Sequence, residues 1–194
     1  MPSADVEVYG ALARALAPLG VRWYVFGAQA AILYGAARFT EDIDVTVELG
    51  NIQTSVLVSA LEQQGFAARI PDQSFVEQTR VLPLLYEATN TPLDVVLSGP
   101  GIEELFFEGA RQIDVEGELV PVASPEDLVV MKILAGRAKD LEDVVAVLAA
   151  QEQFDEQRTR RLIDLLEQAL DQSDLMPAFE RCLRRATRVR NRSR

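Results

Sequence analysis

Residues 38–48 read Arg38-Phe39-Thr40-Glu41-Asp42-Ile43-Asp44-Val45-Thr46-Val47-Glu48. From Ile43 to Glu48 apolar and polar residues alternate strictly, the period of a half-buried β-strand, and Gly50-Asn51 closes it. Two-residue spacing puts Asp42 and Asp44 on one face with their Cα atoms about 6.5 to 7 Å apart. Carboxylates so placed can converge on one or two divalent ions that take oxygen ligands. The same spacing also describes the wet face of an ordinary strand, on which Asp42, Asp44, Thr46 and Glu48 merely meet solvent.

Working upstream, Arg22 to Phe26 (RWYVF) is aromatic and β-branched and reads as a strand, stopped by Gly27, after which AQAAILYGA reads as a short helix. A helix that follows a strand and a glycine offers free backbone amides and a positive end, where phosphate binds. Such a step is common. Its interest here is that Gly27 lies 15 residues before Asp42, so the next strand can return the acids to the same mouth. Further upstream, Ser3 can cap a first helix with Val6, Leu12, Leu16 and Leu19 at roughly helical spacing, ending at Pro18-Leu19-Gly20.

Downstream, the pattern predicts a helix over Thr54 to Gln64 and strands over Phe66 to Ile70, Val81 to Glu87 and Leu93 to Ser98, with Asn90, Pro92, Gly99 and Pro100 as turn residues. A helix from Ile102 to Ala110 and short strands around Ile113 and Val120 follow. Ser124-Pro125-Glu126-Asp127 then opens a helix that Gly136 ends, and amphipathic helices are expected over Leu141 to Ala150, Gln157 to Leu170 and Leu175 to Thr187. The expected organisation is a small mixed-sheet α/β (α+β) core over residues 1–122, a helical region over 123–180 and an Arg-rich tail over 181–194.

Composition narrows the chemistry. The 194 residues include no histidine and one cysteine, Cys182, which excludes Ser-His-Asp triads, Cys-His nucleophiles, His-ligated zinc and paired-thiol redox chemistry. Catalysis must therefore run on carboxylates, Arg, Lys, hydroxyls and backbone dipoles, with Mg²⁺ or Mn²⁺ as the fitting metals. A single cysteine forms no internal disulfide, which fits a reducing, cytoplasmic location. The start lacks the segments of a signal peptide, and Pro18, Gly20, Gly27 and Gly35 interrupt the most membrane-like stretch, so no membrane span is expected. All 30 acidic residues lie at or before Glu180 while seven of the 19 basic ones follow it, giving an acidic body of −18 and a tail of +7. That tail reads either as a solvated end of the last helix or as a basic arm for phosphate.

Three further residues stand out. Asp94 sits in Pro92-Leu93-Asp94-Val95-Val96-Leu97, where an unpaired carboxylate among apolar neighbours would cost several kcal/mol, so it needs a cation or a partner. Beside the strand of Asp44 it would complete an oxygen-only metal site; an Arg salt bridge is the structural alternative. Lys132, one of only two lysines, falls within the most apolar part of a helix, where it either snorkels or meets an anion. Lys139 and Asp143 have the spacing of a helix-surface pair. Cys182, Trp23 and the scattered Phe residues read as packing.

Together, Val25-Phe26-Gly27-Ala28 with Ala30, Tyr34-Gly35, Arg38, Thr40, Asp42-Ile43-Asp44 and the later Asp94 resemble the nucleotidyltransferase superfamily of DNA polymerase β type, most of all the AbiEii/MenA-like toxins. Lys132 followed by Arg137-Ala138-Lys139-Asp140 is similar to their downstream basic segments. The resemblance implies a Mg²⁺-dependent enzyme that moves NMP from an NTP to an acceptor hydroxyl. Asp42, Asp44 and Asp94 would bind the metals, and Asp94 would also help deprotonate the acceptor. Gly27 and Ala28 would line the phosphates, Lys132 would neutralise triphosphate charge, and Arg38, Thr40, Arg137 and Lys139 are further nucleotide-site candidates. Ala28 stands where many relatives carry a serine whose hydroxyl contacts phosphate. The toxin likeness implies RNA or tRNA as acceptor and a cognate antitoxin as partner. The alternative is a catalytically silent module of the same fold that binds RNA or a partner protein.

Overall fold

A computed structural model describes residues 3–99 and 101–192. Pro100, expected in a turn, and residues 193 and 194 of the tail lie outside the described residues. The chain divides into two compact units: the described residues of Met1–Gln29 with Thr40–Val122, and those of Ala30–Phe39 with Ala123–Arg194. The short segment Ala30–Phe39, within the stretch expected as core, thus groups with the helical part.

The first unit is built on a mixed seven-stranded sheet of β1 (Arg22–Phe26), β2 (Ile43–Glu48), β3 (Phe66–Ala68), β4 (Val81–Tyr86), β5 (Thr91–Leu97), β6 (Arg111–Val115) and β7 (Glu118–Val122). Their order across the sheet is β3-β4-β5-β2-β1-β7-β6. The pairs β2–β5 and β1–β7 are parallel and the others antiparallel. α1 (Ala4–Leu16) and α3 (Thr54–Glu62) pack on each other and on the sheet, burying Val8, Leu12, Leu57 and Leu61. α5 (Glu103–Gly109) packs on β1, where Phe107 meets the Tyr24 ring edge-on at 4.9 Å. α2 (Gly27–Leu33) follows β1 directly.

Two expectations are corrected. Pro92 is not a turn residue; it pairs with Leu85 inside β5, and the turn is made by Asn90 at φ 55°. Proline is tolerated there because β2 joins β5 only from Leu93 onward, so Pro92 behaves like an edge position. The polar stretch Gln73–Thr79 forms a helix, α4, that apolar periodicity did not reveal. Its start is set by the Asp72 carboxylate, which accepts from the Ser74 amide at 2.9 Å.

The second unit consists of α6 (Pro125–Ala135), α7 (Ala138–Ala150), α8 (Glu156–Leu170) and α9 (Leu175–Arg192), with the segment Ala30–Phe39. The Ser124 hydroxyl caps α6 by accepting from the Asp127 amide at 3.1 Å, and Gly136 ends it at φ 66°. α9 continues past Thr187 to Arg192; Phe179, Cys182 and Ala186 bury one face of its earlier turns, and Arg190 in the extension donates to the Leu148 carbonyl of α7. The segment Ala30–Phe39 is tied to these helices: the Tyr34 hydroxyl donates to the Ala123 carbonyl at 2.8 Å, and the Gln151 amide donates to the Tyr34 carbonyl at 3.1 Å. A Cβ at Gly35 would lie 2.6 Å from that of Ala150, so only glycine admits this approach.

Candidate active site

One face of the sheet carries the candidate chemistry. Opposed residues of paired strands share a face, so Arg22, Tyr24 and Phe26 of β1 stand beside Glu48, Thr46 and Asp44 of β2. On the other side of β2, Asp44 pairs in parallel register with Asp94 of β5. Adjacent strands lie about 4.8 Å apart, so the two carboxylates rise side by side. Arg22 binds Glu48 and Glu104 at 2.7 Å each, and α5 covers that end of β1. Asp44 and Asp94 stand toward the opposite end and are half-buried.

The Gly27 turn is pressed against Asp44. Gly27 takes φ 67°, and a Cβ built on it would fall onto the Asp44 carboxylate, 2.8 Å from the carboxyl carbon. The bare backbone therefore runs alongside the acid, an approach no side chain permits. Asp42 lies just before β2, exposed, and accepts from the Thr40 hydroxyl.

Asp94 is not starved of solvent as its apolar neighbours suggest. Its side chain keeps 35% exposure, because alternation along β5 turns it away from buried Leu93 and Val95, and it pairs with Arg69. Arg69 had no signal in the sequence beyond being a basic residue within the strand expected over Phe66 to Ile70, which the structure ends at Ala68. Its place is decided by pairing, since its amide donates to the Pro83 carbonyl at 2.9 Å and Pro83 is the β4 partner of Asp94.

The remaining candidates lie in the second unit and are largely occupied. Lys132 is 5% exposed, with Nζ 2.7 Å from Asp143 Oδ2 and 3.4 Å from Asp140 Oδ1. Arg38 donates to the same Asp143 oxygen at 2.7 Å, and Arg137 binds Asp140 at 2.5 Å. The expected Lys139–Asp143 surface pair is absent among the described residues; Asp143 faces inward to Lys132 and Arg38, while Lys139 is exposed. Burial works to raise the Asp140 carboxyl, but the Arg137 and Lys132 charges and hydrogen bonds outweigh it and hold the group below the ordinary value. Sequence reasoning missed that Asp140 and Asp143, one turn apart in α7, organise three of the basic candidates.

A family model described as nucleotidyl transferase AbiEii toxin, type IV toxin–antitoxin system, matches residues 10–193. The chain belongs to the AbiEii nucleotidyltransferase toxin family. Solved structures with a similar fold include the antibiotic-resistance factor ANT(2'')-Ia, 12% identical, covering 88% of this chain and 95% of that one, with a TM-score of 0.61. The lincosamide antibiotic adenylyltransferase LnuA, lincomycin-bound, is 15% identical over 78% of this chain and 100% of its own, with a TM-score of 0.54. An antigenic nucleotidyltransferase-like protein from Paracoccidioides brasiliensis is 18% identical, over 92% and 94% of the two chains, with a TM-score of 0.55. No curated protein matches in sequence. At these identities the structural likeness speaks for the fold alone: this AbiEii-family chain has the nucleotidyltransferase architecture, and its family is one of transferases.

Donor chemistry can be tested against the divalent metal that such transferases generally use. Among the described residues, no three acidic or thiol side chains already converge as a cage. The available donors are nonetheless all carboxylate oxygens, two of them in register on adjacent strands and one two residues upstream, and the Gly27 backbone runs directly beside Asp44. That set suits a hard cation with oxygen ligands. Among the described residues no helix is long and apolar enough to cross a membrane.

Proposed function

We propose that this chain transfers an NMP from an NTP to an acceptor hydroxyl, with Asp42, Asp44 and Asp94 as the carboxylates that hold Mg²⁺ or Mn²⁺. The observation that carries this reading is the parallel register of Asp44 with Asp94 beside the glycine-only approach of Gly27. Bound there, the metal would supply charge neutralisation for the triphosphate. Gly27 and Ala28 line the phosphates with backbone, and Thr40 orients Asp42 through its hydroxyl. Asp94 accepts the proton of the attacking hydroxyl. A bond forms from that oxygen to the α-phosphorus, the α–β bridging bond breaks, and pyrophosphate leaves. Within the second unit, Lys139 is exposed, and Arg38, Lys132 and Arg137 pair with Asp140 and Asp143.

The family's toxin–antitoxin description supports a cognate antitoxin as partner, and RNA, including tRNA, is the acceptor we propose from the resemblance of the sequence motifs. We place the reaction in the cytoplasm, where NTP and RNA are both supplied. A second reading, a silent module that binds RNA or a partner protein, is favoured by Asp94 already pairing with Arg69 and by Lys132 already pairing with Asp140 and Asp143.

The two separate in one experiment. Wild type and Asp44→Asn are incubated with Mg²⁺, each α-labelled NTP in turn, total RNA and cell extract. Label transfer that disappears in the variant supports the enzyme. No transfer to any acceptor sinks it in favour of the silent module.

A further inference from the structure

α9 carries six arginines and one glutamate, Glu180, in 18 residues. Two of the arginines serve the fold: Arg185 binds Glu142 of α7 through both carboxylate oxygens at 2.8 and 2.9 Å, and Arg190 donates to the Leu148 carbonyl. The other four, Arg181, Arg184, Arg188 and Arg192, recur at three- and four-residue intervals and therefore form one row along the helix. All four are exposed, and none makes an ion pair with a described residue. The buried face of α9, set by Leu175, Phe179, Cys182 and Ala186, lies to one side of this row, so helix docking holds it outward. The helix thus orders as a straight cationic edge the stretch whose charge alone did not distinguish a solvated end from a binding arm.

We infer that the Arg181–Arg184–Arg188–Arg192 row binds the phosphate backbone of a nucleic-acid strand, the macromolecular acceptor or its extension. This rests on the nucleotidyl-transfer reading for its biological sense, but not for its geometry. The row spans about 16 Å of helix axis at about 1.5 Å per residue. Successive phosphates of a duplex strand rise by about 3.4 Å, so the row faces four to five charges of one strand. Every member is arginine rather than lysine, and a guanidinium grips phosphate oxygens in pairs where an ammonium acts as a point charge. With all 30 acidic residues at or before Glu180, the remainder of the chain repels a polyanion and leaves this edge as the place where one can approach.

The test measures binding without NTP, so that it does not depend on catalysis. Fluorescence anisotropy of a labelled 20-nucleotide RNA, its DNA counterpart and a folded RNA is followed from 50 to 200 mM salt with wild type, Asp44→Asn and a quadruple Arg→Gln variant of the row. Four single-strand phosphate contacts correspond to a log–log slope of about −2.8, roughly a 50-fold loss of affinity over that range. The quadruple variant is expected to lose about three units of slope while keeping the circular dichroism and melting temperature of wild type, since none of its changed side chains is paired. Asp44→Asn is expected to bind as wild type does; salt-dependent wild-type binding without any label transfer in the NTP experiment would count against the catalytic reading alone. Wild-type binding with no salt slope, or an unchanged slope in the quadruple variant, overturns the proposal. So does competition by polyglutamate as effective as RNA at equal charge, which marks the row as a site for an acidic protein. Conversion of an oligomer to monomer by the quadruple change also overturns it, marking an interface between copies. A preference between RNA and DNA identifies which strand the row serves.

Discussion

Gly27 shows how a single missing side chain shapes the site. At φ 67° any other residue is strained, and here its Cβ would also displace the Asp44 carboxylate. Gly27→Ala is expected to cost about 1–3 kcal/mol in urea unfolding and to abolish metal-dependent nucleotide binding, because Asp44 must swing away. Lys132 is the second decisive residue. Its ammonium sits between Asp140 and Asp143 at 5% exposure, and truncation leaves two buried carboxylates with less counter-charge. Lys132→Met should therefore destabilise by about 3–5 kcal/mol, read from the urea midpoint; a variant as stable as wild type would remove its structural role.

At the scale of elements, the β2–β5 pairing sets two carboxylates side by side, and Arg69 after β3 supplies the cation that offsets their repulsion. A divalent ion would compete with Arg69 for Asp94. Arg69→Gln is accordingly expected to melt lower than wild type in EDTA and to gain more melting temperature on adding Mg²⁺. An equal Mg²⁺ increment in both proteins would mean that Asp94 takes no part in metal binding. Helix α9 makes a different prediction. Burial pushes the Cys182 thiol above its ordinary value against the lowering influence of Arg185 and Arg181, so it should resist thiol reagents at pH 8 until denaturant releases the helix.

Across the whole molecule, pH acts through carboxylates whose folded and unfolded affinities for protons differ. The folded state holds Asp140 below its ordinary value of 3.8, so its contribution is present above that value and is lost as pH falls through the lower folded one. Asp127 runs the other way: burial raises it, despite the Ser124 bond and the Arg158 pair at 2.7 Å, so its contribution declines as pH rises past 3.8. Asp140→Asn should thus lose about 1–3 kcal/mol at pH 7 and progressively less below pH 3.8, measured by urea unfolding across that range. A constant difference at every pH would show that the loss is steric.

Much of this protein was legible before folding. Strict alternation over residues 43–48, the Gly27 stop after an aromatic strand and the Ser124–Pro125 start announced β2, the end of β1 and α6 with bounds the structure keeps, because each signal is local; the helix after Gly27 was announced too, but α2 takes in Gly27 and ends at Leu33 rather than running over residues 28–36. The absence of histidine likewise removed imidazole chemistry and left oxygen donors for any metal, while nucleotidyl transfer was implied by the resemblance of the motifs. Other features needed the assembled chain, since they join residues far apart in sequence: the Asp44–Asp94 register, the Arg69 partner, and the capture of Arg38, Lys132 and Arg137 by Asp140 and Asp143. By itself the sequence determined which groups could do chemistry and where strands and helices begin. Tertiary structure alone decided which charges neutralise one another and which remain exposed, because pairing depends on distance and burial, and neither is a property of local pattern.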